Sequence, residues 1–377
     1  MNSRIWLSSP HLSGNEIKYI EDAFEKNWVT SIGDNLNDFE NKLEEYLGED
    51  SYVILLNTCT SAIHLALIEC GIGYGDEVIC QSMTFSASAN PITYCGATPI
   101  FVDSESDTWN ICPIALEEAI VDRISKGVKP KAIIAVHLYG MPYKIDEIHR
   151  VAHKHNIPII EDAAEALGST YKGKATGTFG RFGTISFNGN KIITTSGGGA
   201  LICQSKKEKE RVIFLATQAR DDAPHYQHSQ IGYNYRMSNI LAGIGRGQME
   251  VLEDRIIARR AMNSFYQNLF ADINGVEVFK EPSTDFYSNH WLSAILIDSK
   301  VTGKTREDLL LAFLEDNIES RPLWKPMHLQ PIFKNLPYYG SNVSEKLFEN
   351  GLCLPSGSNL TDQDRFRISK VVVDFFK

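Results

Sequence analysis

Residues Thr184–Ala200 read TISFNGNKIITTSGGGA. The stretch opens on Thr184–Phe187, an apolar run that predicts a buried strand. It then presents a single lysine, Lys191, and closes on the glycine turn Gly197–Gly199. An amine between a buried strand and a glycine turn is poorly placed for a solvated surface charge. Burial favours its uncharged form, and an uncharged amine can form a Schiff base. Taken alone, the stretch reads equally well as a hairpin with a surface lysine, because lone lysines are mostly exposed.

A second stretch, Ile157–Glu165 (IPIIEDAAE), shifts that balance. It predicts a short buried strand ending in carboxylates. In open α/β sheets ligands bind beyond the carboxyl ends of the strands. A carboxylate there, a lysine on a following strand and a Gly/Ser/Thr-rich loop upstream are the three things pyridoxal phosphate needs. They supply a counter-ion for the pyridinium nitrogen, a partner for the aldehyde and a cradle for the phosphate. Asp162 reads also as the N-cap of a helical turn over 163–167, with Glu165 completing a capping box.

The rest of the chain sets the limits. Its 377 residues leave room for a large and a smaller domain. A net charge of -10 lacks the basic footprint of a nucleic-acid binder. Seven scattered cysteines without a C-x-x-C pair predict reduced thiols and a cytoplasmic protein. The first residues lack the apolar core of a signal peptide. No apolar run approaches the roughly 20 residues that span a bilayer.

Periodicity predicts helices over 15–27 and 37–47 after an extended arm. Strands are predicted over 52–56, 77–81, 99–102, 132–137 and 157–160, with helices over 85–95, 113–126 and 144–155 between them. Strands alternating with helices imply a mostly parallel, buried sheet. Beyond Tyr171, glycines at 173, 177, 180 and 183 predict turns and hairpins. A loop is expected over 220–238, one long helix over 239–266, a strand over 291–297, a helix over 305–316 and a terminal helix from Thr361. The expected division is a large domain over 1–260 and a smaller α+β domain over 261–377.

Asn57–Ser61 follows a strand and opens a helix, where backbone N–H groups attract phosphate; simple N-capping gives the same pattern. Phe85 ends the next strand and reads as a stacking face or as core. His149 and His153 lie four apart on a predicted helix, but no HExxH accompanies them and no metal site is expected. No G-x-G-x-x-G follows the first strand, so nicotinamide binding is not indicated.

These residues carry a family likeness. Trp28–Gly33, Asn57–Ala62, Val136–Gly140, Glu161–Gly168, Ser186–Lys191 and Gly232–Met237 resemble the motifs of the DegT/DnrJ/EryC1/StrS sugar aminotransferases, over nearly the full chain. The resemblance implies a fold-type-I pyridoxal-phosphate transferase with a mostly parallel seven-stranded sheet. It makes Lys191 the Schiff-base lysine, Asp162 the partner of the ring nitrogen, and Glu165 the neighbour of the phenolic oxygen. Phe85 would stack on the ring, and Thr60, Ser61 and Ser186 would bind the phosphate. Asn234 would reach the phosphate of a partner subunit, which implies a homodimer with shared sites. Many relatives carry Gln where this chain has Glu165.

Ile192–Gly199 and Arg321–His328 are similar to enzymes that aminate the 4-position of UDP-linked 4-keto-6-deoxy-N-acetylhexosamines, with L-glutamate as donor. A nucleotide-sugar site is expected to draw on Trp28, Thr30, Arg321, Lys325 and His328. Arg236 is a candidate for the donor carboxylate and equally a loop-anchoring ion pair. Three other readings stand beside this one. A 3-aminotransferase would act on a dTDP-keto-sugar, a dehydratase would have histidine in place of the lysine, and a regulator would bind the cofactor without turnover.

Overall fold

The computed structural model describes residues 3–48 and 50–377. Two helices, α1 (Glu16–Glu25) and α2 (Asp34–Leu47), lead into the first strand, β1 (Tyr52–Leu56). There follow α3 (Cys59–Glu69), β2 (Glu77–Gln81), α4 (Ser86–Tyr94), β3 (Thr98–Val102), α5 (Pro113–Ser125), β4 (Ala132–Val136), α6 (Ile145–His155) and β5 (Ile159–Asp162). A hairpin of β6 (Phe182–Ser186) and β7 (Gly199–Cys203) completes seven strands in the order β1-β7-β6-β5-β4-β2-β3. Only β7 runs against the others; it pairs antiparallel with β1 and β6. An eighth, two-residue strand, Tyr338–Tyr339, extends the expected seven by pairing parallel to β3.

Successive residues of a strand face opposite sides, and the two cores show it. Val78, Cys80, Ile134 and Ile160 pack with α3 on one face. Ile79, Ile133, Ala135 and Ile159 pack with α5 and α6 on the other. α3 is buried on nearly every side, as its apolar run Ala62–Leu67, broken only by His64, requires. Glycine punctuation in the hairpin has a steric cause: a Cβ on Gly183 would sit 1.9 Å from the Gly177 carbonyl oxygen.

Val276–Val278, Ser293–Ile297, Gly351–Leu354 and Arg321–Pro322 form a separate antiparallel sheet. Its core takes Ile295, Leu309, Phe313, Leu352 and Ile368, together with Ile5 from the arm. Helix Leu252–Phe270 runs through residue 260 and gives Met262, Tyr266 and Phe270 to this same core.

Three local expectations change. The long helix predicted over 239–266 is two, Asn239–Met249 and Leu252–Phe270, because Val251 takes a non-helical backbone (φ -122°, ψ 11°). The strand predicted over 157–160 lies two residues later, which brings both Glu161 and Asp162 into β5. No helix follows Asp162; residues 163–168 form turns. No helix among the described residues is long and apolar enough to cross a membrane.

Candidate active site

β5 and β6 are parallel neighbours, and Asp162 pairs with Thr184 in their register. Both strands therefore deliver their last residues to one edge of the sheet. There the N-terminus of α3, the Asn188–Gly198 turn and α4 enclose a cavity of ≈ 270 Å³. Thr60, Phe85, Asp162, Glu165, Ser186 and Lys191 all line it. Lys191 stands on the β6–β7 turn rather than on a strand.

Asp162 is 5% exposed. Its Oδ2 accepts the Ser88 hydroxyl at 2.5 Å and its Oδ1 accepts the Ala164 N–H at 3.1 Å. Those two bonds orient the carboxylate, and no described residue forms an ion pair with it. A buried, oriented carboxylate without a cation is suited to a protonated ring nitrogen.

The Lys191 Nζ lies 3.4 Å from Glu165 Oε1. Glu165 Oε2 accepts the N–H of Tyr139 at 2.7 Å, and Tyr139 adopts φ 55° to present it. Burial pushes the Glu165 carboxyl above its usual range, against the opposing pull of the Lys191 charge and the Tyr139 N–H. At α3, Thr58 is the N-cap and accepts the Ser61 N–H at 3.0 Å. Thr60 lines the cavity, whereas the Ser61 hydroxyl turns back to Asn57 Oδ1 at 2.7 Å. Phe85 stands at the N-cap position of α4 and is 54% exposed, a displayed face rather than core.

Other expected residues lie elsewhere. Arg236 is the loop anchor: its Nη1 binds Glu40 Oε1 at 2.5 Å and the Leu55 carbonyl at 3.0 Å. His328 has both ring nitrogens committed, to the Ser82 hydroxyl at 2.7 Å and to Glu345 at 3.2 Å. Its ring also stacks on Tyr338. His328 is thus a clamp that docks its loop on the end of β2, with no ring nitrogen left for a substrate. Arg321 is exposed and paired with Glu319 at 2.8 Å. Trp28, Thr30, Lys325 and Asn234 are exposed and lie outside this cavity.

Sequence reasoning did not single out Ser88 or Trp291, and it gave Tyr139 and Trp324 no role of their own within the stretches Val136–Gly140 and Arg321–His328. Trp291 and Trp324 line the cavity from the far end of the chain. Ser88 had a signal, since it lies four residues after Thr84 at the start of a helix, and Trp324 lay within the Arg321–His328 stretch; Trp291 had none.

The residues present fit pyridoxal phosphate: a half-buried amine, a buried carboxylate without a cation, a displayed aromatic face and a helix N-terminus meet in one cavity. Comparison with known proteins agrees. Residues 10–373 match the DegT/DnrJ/EryC1/StrS aminotransferase family. EpsN of Bacillus subtilis (strain 168), a protein named for pyridoxal phosphate-dependent aminotransfer, is 48% identical over 380 residues, covering 100% of this chain and 97% of its own. The GDP-perosamine synthase of Escherichia coli O157:H7 is 38% identical, covering 97% of each chain. The crystal structure of a DegT DnrJ EryC1 StrS aminotransferase from Brucella abortus superposes with a TM-score of 0.89 at 30% identity, covering 96% of this chain and 95% of that one. The fold is therefore the fold-type-I arrangement. The chain belongs to the DegT/DnrJ/EryC1/StrS family and is a pyridoxal-phosphate-dependent sugar aminotransferase.

Proposed function

We propose that the enzyme moves the amino group of L-glutamate to the 4-keto carbon of a UDP-linked 4-keto-6-deoxy-N-acetylhexosamine, giving a UDP-4-amino sugar for surface glycan or glycoprotein synthesis. The observation that carries the reading is that Lys191 and Asp162 line one cavity at the carboxyl ends of β5 and β6. Bound pyridoxal phosphate supplies the carbon that receives the amino group and a ring that takes up the electron pair left on the donor. The α3 N-terminus, with Thr60 and Ser186, holds the phosphate. Asp162 accepts the hydrogen bond of the ring nitrogen and keeps it cationic. Lys191 Nζ removes the proton from the donor's α-carbon and acts as general base and acid through both halves of the transfer. Phe85 covers one face of the ring and restricts water.

The enzyme works as a homodimer in the cytoplasm. Asn234, exposed and outside its own chain's cavity, completes the partner's phosphate site, and the seven unpaired cysteines suit a reducing compartment. Arg321 and Lys325 meet the diphosphate of the nucleotide sugar, Arg321 by exchanging Glu319 for substrate.

The identity to a GDP-perosamine synthase favours a second reading, a GDP-linked substrate. Incubation with L-glutamate and a panel of UDP-, GDP- and dTDP-linked 4-keto sugars, followed by mass detection, decides between them. The UDP-linked sugar should gain the amine. A cofactor-loaded enzyme that aminates no keto-sugar would sink the proposal.

A further inference from the structure

The indole of Trp291 meets the Lys191 turn twice. Its ring centroid lies 4.0 Å from Lys191 Nζ. Its Nε1 donates to the carbonyl of Asn190, the residue before the lysine, at 2.7 Å. Trp291 is 1% exposed, so the indole itself is withdrawn from solvent.

Its backbone is fixed as firmly. The Trp291 N–H donates to Asn289 Oδ1 at 2.8 Å, and the Trp291 carbonyl accepts Arg259 Nη1 at 2.5 Å. His290 before it is held at φ 46°, with Nε2 3.1 Å from Glu281. A ring that cannot turn aside favours a cation on its face. Glu165 Oε1 stands 3.4 Å from the same nitrogen. The amine therefore has a π face and a carboxylate, and both come from outside its own turn.

Transamination requires that amine to be free for part of each cycle, in a chain where a long, flexible side chain has many places to go. We infer that Trp291 is a positioning residue: its indole face and the Glu165 carboxylate form the seat that the Lys191 ammonium takes whenever the amine is not joined to the cofactor. The inference rests on Lys191 being the cofactor-binding amine. Borohydride trapping of a cofactor adduct on Lys191 in the unmodified enzyme tests that reading separately.

The seat is tested on the cofactor-free chain. With lysine 13C-labelled at Cε, the Lys191 signal, assigned by its loss in Lys191→Arg, should be displaced upfield by the indole ring current. The displacement should vanish in Trp291→Leu and persist, reduced, in Trp291→Phe. Pulse labelling with acetic anhydride, read by peptide mass, should modify Lys191 about tenfold faster in Trp291→Leu. Trp291→Phe, which keeps a ring but loses the N–H, should fall between, and the other lysines should label as before. An undisplaced Lys191 signal in the unmodified chain overturns the proposal. So do equal labelling rates in the three proteins, or a Phe variant as fast as the Leu variant, which would assign the effect to the Asn190 hydrogen bond. If Trp291→Leu does not fold, the ring-current signal and the comparison of Trp291→Phe with the unmodified chain decide alone.

Discussion

Glu161 and Asp162 are neighbours in sequence with opposite fates, and one step of strand register separates them. Glu161 faces the α5–α6 side, fully buried, where His137 Nε2 lies at 2.8 Å and the N–H groups of Gly177, Phe179 and Gly180 converge on it. Burial pushes its carboxyl up, but those donors more than offset it and hold the group below its ordinary range. Asp162 faces α3 and α4 with only Ser88 and the Ala164 N–H for company. Asp162→Ala should therefore lower turnover by about 10² to 10³, the scale of removing one preorganised electrostatic partner. Phe85→Leu should cost less than about tenfold, because it trims a stacking face. Equal, small losses in steady-state rates would count against the ring-nitrogen role. Glu165 gives a pH signature. Its folded-state carboxyl is raised, so the folded chain holds that proton more tightly than the unfolded chain. Its contribution is present below the unfolded value and is lost as pH rises through the folded one. Glu165→Gln in the cofactor-free protein should thus gain stability over wild type as pH rises above the ordinary carboxylate range. Urea midpoints at several pH values measure this, and a pH-independent difference would contradict it. The sequence showed that a strand ends in carboxylates; which one faces the site follows from pairing with β4 and β6, which lies outside any local window.

At the scale of elements, the alternating strands and helices were legible because a two-sided buried sheet imposes apolar runs of strand length between amphipathic or apolar helices. Boundaries were less so. The two-residue error at β5 arose because its last two residues are charged, and charge reads as loop until a tertiary partner is known. The alternative reading of Asp162 as a helix cap holds only in part: Oδ1 accepts the Ala164 N–H, but Oδ2 is taken by Ser88 on α4, 74 residues away in sequence, and no helix follows. Trp291 was invisible because its contact with the Lys191 turn spans 101 residues and has no period. The glycine turn that ends the opening stretch has a function at this scale. Gly199 starts β7 against the first turn of α3; a Cβ there would lie 2.3 Å from Cys59 N and 2.5 Å from the Thr58 carbonyl carbon. Both are backbone atoms and cannot rotate away. Gly199→Ala should push the α3 N-terminus off its place, costing about 1–3 kcal/mol in stability and weakening cofactor retention. Gly73→Ala, with nothing within 4 Å of the added carbon, is the control. Urea unfolding and absorbance titration with pyridoxal phosphate read the two effects. Matching behaviour of the two variants would show that the β7–α3 contact does not set the cradle.

At the scale of the whole molecule, the chain leaves apolar side chains uncovered on two segments outside the cavity. Trp28 is 42% exposed, Val29 54%, Ile32 66% and Ile231 82%, apolar surface on the segments that carry Thr30 and Asn234. Asn234 is fixed from its own chain by Gln218 Nε2 at 3.1 Å, yet it lies outside the cavity that holds Lys191. A two-fold assembly in which each chain lends the 218–236 segment to the other gives both features a use. One sequence cannot display such an interface, since contacts between copies leave no periodic trace within a copy. Subunit mixing tests it. Lys191→Ala chains lack the amine but still lend a native Asn234, while Asn234→Lys chains keep the amine but lend a positive side chain that alters the partner's site. Each homodimer should be nearly inactive. Denaturing and refolding the two together should return about a quarter of wild-type activity, because half of the dimers are mixed and each mixed dimer holds one wholly native site. If Asn234 instead served its own chain, every site would contain one defect whatever the pairing. The refolded mixture would then stay as inactive as its parents.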